Sequence, residues 1–244
     1  MAVSVNWHTI ITLLQYNKNM FYFKSIPPDG GIIYTETNMQ NLFPEPLNAA
    51  TSLLFLLLAL FWTFKLWGRA KQHTFLFTAV ILLYIGGIGG TVYHGLRQWS
   101  FFIMMDWLPI MLLCIAAGVY FLARLTKWYY AVGMIVVYVA FQFYLRSIMT
   151  QSDVHLFINI NYAVMASLVL FPVLGYLIRT RFENGLWVGL ALMAFILALT
   201  FRIADGWGWV SFGTHFLWHL FGAVAAYCMF QYIYLINNSQ RVVV

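Results

Sequence analysis

Charge is what this chain has least of. Only 7 Asp and Glu and 13 Lys and Arg occur among 244 residues, 8% in all, where an ordinary soluble domain carries about 25%. That shortage excludes a water-solvated globular surface. The net charge of +6 does not describe a nucleic-acid face either. The basic residues are scattered among short loops and never form a stripe, so they fit membrane topology and anionic head groups better. Cysteine is nearly missing too. Cys114 and Cys228 both sit in apolar runs, where the side chain acts as a small hydrophobe. They build neither a disulfide framework nor a CxxC site and say little about redox compartment. There is no internal repeat, no low-complexity tract and no linker long enough to separate one domain from another.

What is present is apolar length: 63% of the residues are hydrophobic. Taking about 20 residues per crossing, seven segments are long enough, at Pro46 to Trp67, Thr74 to Tyr93, Phe102 to Leu122, Trp128 to Arg146, Leu156 to Ile178, Leu186 to Phe201 and Phe212 to Ile236. The expected fold is therefore an all-α polytopic membrane protein, a seven-transmembrane helix bundle over residues 43–237. A segment at 1–42 precedes it and a short tail at 238–244 follows. The loops after spans one, three and five carry Lys65, Arg69, Lys71, Arg124, Lys127, Arg179 and Arg181, against Arg97, Arg146 and Arg202 after spans two, four and six. Positive-inside bias then puts the N-terminus outside and the C-terminus in the cytoplasm. Lys18 and Lys24, in the outer segment, weaken that bias without reversing it. The first 45 or so residues lack the basic start and clean apolar core of a signal peptide. Trp7 to Tyr16 fits one short amphipathic helix, and Pro27-Pro28-Asp29-Gly30-Gly31 reads as a turn. The segment is either a lid over the outer mouth of the bundle or an ordinary translocated tail.

Few polar residues interrupt the spans. His215 and His219 open the seventh, and a spacing of four puts them within roughly 40° on one helical face. His94 ends the second span and Asp106 lies one turn into the third, so all four fall in the outer leaflet. A lone interfacial His such as His94 is often a hydrogen-bonded helix end. An i,i+4 pair is less easily explained that way, and a carboxylate inside a span usually marks function. Three neutral imidazoles with an open fourth position are a catalytic zinc arrangement. His8, His73 and His155 are too remote, on the other side, or without a spacing partner. Arg202 and Asp205, ending span six, read either as a head-group contact or as a snorkelling pair. Trp207 and Trp209 read as interfacial anchors.

In order, Glu45-x-x-Asn48 entering span one, His94, Asp106 and His215-x-x-x-His219 resemble the alkaline ceramidases. That family belongs to the CREST superfamily of seven-span membrane hydrolases, with the progestin and adipoQ receptors as relatives. The resemblance covers residues 43 to 236. It implies a Zn2+ ion held by His94, His215 and His219, with Asp106 orienting and deprotonating a water that attacks the amide of a ceramide-like lipid. Glu45, Asn48, Arg202 and Asp205 become candidates for supporting the ligands or contacting substrate. Two positions depart from the pattern. Gly90 stands where the family has Ser four residues before the first His, leaving Thr91 as the substitute hydroxyl or Gly90 as a close-packing residue. The acidic calcium cluster is reduced to Glu36, Asn38 and Glu45, so calcium regulation is expected to be weak or missing. The competing expectations are a receptor-like or structural zinc protein of the same superfamily without hydrolase activity, and a proton or solute transporter using Asp106, Arg202 and Asp205.

Overall fold

The computed structural model describes residues 26–150 and 154–239; the expected helix from Trp7 to Tyr16 lies outside them. Seven helices follow one another: α1 (Pro46–Lys65), α2 (Thr74–Leu96), α3 (Ser100–Leu125), α4 (Trp128–Ile148), α5 (Val154–Arg179), α6 (Gly185–Ala204) and α7 (His215–Ser239). All seven are long and apolar enough to cross a membrane. No strand occurs among the described residues. The chain is thus an all-helical, multi-pass membrane protein. Its outward faces are inverted relative to a soluble bundle, with Phe64, Val137 and Phe171 each 70% or more exposed, an arrangement suited to lipid rather than water.

Hydropathy locates the helices, but tertiary contacts set several of their ends. The first amides of α1, on Leu47 and Asn48, donate to the Glu36 carboxylate at 2.5 and 3.0 Å. A distant acid therefore satisfies donors that every helix start leaves open. Pro46 at the first helical position lacks that donor. Helix α7 starts at His215, three residues later than its apolar run. Gly213 turns the chain at φ +71°, and Asp205 accepts the Thr214 and His215 amides at 2.7 and 3.0 Å. Asp205 itself opens a 3-10 turn, Asp205–Trp207, that extends α6 beyond the expected Phe201.

The pairs α1/α2, α2/α3, α3/α5, α6/α7 and α1/α7 pack side by side, while α4 leans mainly on α3 and donates from Gln142 to Asn161 of α5 at 2.6 Å. The backbones of consecutive α5 and α6 stand apart, and the gap between them is bridged by side chains such as Arg202 over Tyr162 and the core residues Val173 and Val188. The buried core, including Trp62, Leu76, Phe121, Val173 and Tyr232, fills the end where α1 finishes. At the opposite end residues 26–45 lie across the bundle. Asp29 ion-pairs with Arg97 at 2.8 Å, Thr35 bonds Asp205 through its amide and hydroxyl, and the Thr37 hydroxyl donates to Glu45 at 2.6 Å. Residues 26–45 thus form a lid over this end of the bundle.

Candidate metal centre

Helix parity brings the C-terminal turn of α2 and the N-terminal turns of α3 and α7 to the end of the bundle that the lid covers. His94, His215 and His219 meet there, and one nitrogen from each lies within 4.8 Å of the others. Ring centroids are 4.8 Å apart for His94 and His219 and 4.9 Å for His215 and His219. All three are at most 2% exposed.

Their hydrogen bonding is divided. His94 Nδ1 meets Glu45 Oε2 at 2.5 Å. His219 Nδ1 lies 3.1 Å from both the Asn48 carbonyl and Thr51 Oγ1, and 3.3 Å from Ser52 Oγ. The other nitrogens, His94 Nε2 and His219 Nε2, are buried without a partner, as is His215 Nδ1. Buried nitrogens are seldom left orphaned, and three in one cluster make a ligand set. Metal-ligating histidines ordinarily anchor their second nitrogen on an acceptor. Glu45 and the Asn48 carbonyl provide that for His94 and His219, so the three histidines could hold a metal ion.

Glu45 is fully buried and anchored on every side. Oε1 accepts from Thr37 and from the Arg97 guanidinium, and Oε2 accepts from Asn48 Nδ2 at 3.2 Å. Burial alone would raise its pKa, but His94, Arg97 and Thr37 outweigh it and hold the carboxyl below its ordinary range. Arg97, also fully buried, is fixed in turn by Asp29 through Nε at 2.8 Å and Nη2 at 3.1 Å. The lid contributes Tyr34, whose ring stacks on His215 at 3.9 Å. Burial pushes this phenol up, so it is neutral.

Asp106 and His219 line one cavity of about 270 Å³ that is otherwise almost wholly apolar. It extends away from the histidines through Leu113, Val169 and Ala191 to Ile233, bordering the gap between α5 and α6. A Cβ on Gly90 would lie 2.5 Å from Asp106 Oδ1 and 3.1 Å from Ser52 Oγ. Gly90 thus makes room for both. The Thr91 hydroxyl donates to the Gly87 carbonyl at 2.7 Å, a bond along its own helix. The side-chain oxygens around position 90 therefore belong to Ser52 and Asp106. Asp205 reaches the centre only through the His215 amide and does not pair with Arg202. Instead Arg202 sits over Tyr162 and Trp218, 4.9 and 5.5 Å from the ring centroids.

Sequence reading missed Asp29, Tyr34, Thr51, Ser52 and Arg97. The one available signal was Arg97 itself, an unneeded cation beside the site in a chain so poor in charge. No family model matches this chain, and no curated protein and no solved structure matches it either.

Proposed function

We propose that this protein is an intramembrane zinc-dependent amidohydrolase of alkaline ceramidase type, acting on a ceramide-like lipid amide with its site toward the non-cytoplasmic leaflet. The observation that carries this reading is the trio of orphaned, buried imidazole nitrogens at the head of an apolar cavity that also holds a carboxylate.

His94, His215 and His219 would hold the ion, which when bound would supply a Lewis acid and an acidified water, of pKa about 7. Glu45 and the Asn48 carbonyl orient the imidazoles. Asp106, with room provided by Gly90, takes the proton from the attacking water and returns it to the leaving nitrogen. The C–N bond breaks, a C–O bond forms, and fatty acid and amine leave. The apolar cavity receives the acyl chain, and the gap between α5 and α6 admits it from the bilayer. An acyl chain gains little by moving from lipid into an apolar pocket, so chain preference follows cavity shape. Tyr34 and the rest of the lid shield the centre from bulk water, which strengthens every charge interaction inside it.

Purified protein should contain about one zinc per chain by metal analysis, and His215→Ala should lose it. A folded, zinc-free wild type would remove the site. Asp106→Asn should keep zinc while releasing no fatty acid from a panel of lipid amides. Zinc without turnover by the wild type on any amide or ester would leave the structural or receptor-like reading.

A further inference from the structure

Arg202 occupies the last turn of α6, against the cavity-lining Tyr162 and Trp218, and lies close enough to act electrostatically on Asp106, His215 and His219. It hydrogen-bonds Tyr34 of the lid, and its Nε is buried with no partner. No ion pair links it to a carboxylate among the described residues. Asp106 acts on it through space without an ion pair, and the other nearby acids are committed elsewhere: Glu45 to Arg97 and His94, Asp29 to Arg97, and Asp205 to the amides of Thr35, Thr214 and His215. Tyr162 and Trp218, whose rings pack edge to face at 4.6 Å and carry the guanidinium over them, both line the cavity. A guanidinium Nε buried without a partner is costly unless an acceptor joins it, and a planar guanidinium suits a carboxylate or phosphate.

We propose that Arg202 is a specificity-determining residue that selects lipid amides bearing an anionic group, carboxylate or phosphate, on the amine side of the scissile bond. The proposal rests on the hydrolase reading above. The acyl chain runs down the apolar cavity, away from Arg202, so the group that meets the guanidinium belongs to the amine. A neutral amine leaves Nε unpaired. An anionic one completes a charge-assisted contact at the lid.

The test is binding of three probes to the full-length, zinc-loaded protein carrying Asp106→Asn, which holds back turnover: N-palmitoylglycine, O-phospho-N-palmitoylethanolamine and neutral N-palmitoylethanolamine. At least one anionic probe should bind about tenfold or more tighter than the neutral one, and the tighter of the two names carboxylate or phosphate as the source. Arg202→Gln should remove that preference with the neutral probe's affinity unchanged, and Arg202→Lys should keep some of it. Equal binding of all three probes, or an Arg202→Gln loss shared equally by all three, overturns the proposal. Turnover separates the two ideas. No hydrolysis of any amide, with the binding preference intact, sinks the hydrolase reading alone. Equal hydrolysis of neutral and anionic amides by wild type and Arg202→Gln sinks the selectivity alone.

Discussion

At position 90 a side chain has no room: a Cβ would meet Asp106 Oδ1 at 2.5 Å and Ser52 Oγ at 3.1 Å. Gly90→Ser, which restores the ceramidase-like residue, should therefore impair the protein by pushing Asp106 aside. A displacement of about 1 Å at a reacting group costs on the order of 100-fold, so fatty-acid release should fall by about that factor at unchanged zinc content. A rise in turnover would show instead that the site lacks a hydroxyl. Adding Ser52→Ala should recover only a fraction of the loss, because the Asp106 contact remains. His94, Asp106, His215 and His219 were legible because polar groups in apolar runs demand a reason. Ser52 was not: a helical Ser bonded to a carbonyl four residues back, here Asn48 at 2.9 Å, looks like any membrane-helix Ser. Its place beside His219 exists only once α1 packs on α7.

Helices were readable as elements and their ends were not, for the same physical reason. Apolar length is local, whereas the caps on α1 and α7 come from Glu36 and Asp205, 11 and 10 residues from the amides they reach. The lid shows this most clearly. Its docking depends on Arg97, which follows α2 in a left-handed conformation at φ 52° and is gripped by Asp29 and Glu45. As sequence, Arg97 is an ordinary loop cation. In the fold it is one of the largest fully buried side chains. Breaking a buried ion pair from one side costs about 3–5 kcal/mol because the abandoned charges stay buried. Arg97→Met should accordingly lower the thermal midpoint of the detergent-purified protein by several degrees or more. Arg97→Met with Asp29→Asn should regain some of that, since one orphaned carboxylate is removed. A midpoint unchanged by Arg97→Met would mean the lid is held by Thr35 and Thr37 without the ion pairs.

Across the whole molecule, the two ends of the bundle differ in how their cations are used. At the end where α1 finishes, Arg69, Lys71, Lys127, Arg179 and Arg181 are exposed. At the lid end Arg97 is neutralised inside by Asp29 and Glu45, and Arg202 lies over the packed rings of Tyr162 and Trp218. Of the loop cations counted there among the described residues, Arg146 alone is exposed. Topogenic bias counts the Lys and Arg near the span ends, and that count favours the end where α1 finishes as the cytoplasmic one. The expected outcome is a lid and metal centre facing away from the cytoplasm. Single cysteines placed at Trp209, exposed near the lid, and at Glu183, exposed between α5 and α6, report this directly. Cys228 is buried and Cys114 half-buried within α3, so native background labelling should be low. A membrane-impermeant maleimide should label Trp209→Cys in intact cells and Glu183→Cys only after lysis. The reverse pattern would turn the bundle over. His94, His215 and His219 would then face the cytoplasm, and lipid would have to reach the gap between α5 and α6 from the inner leaflet.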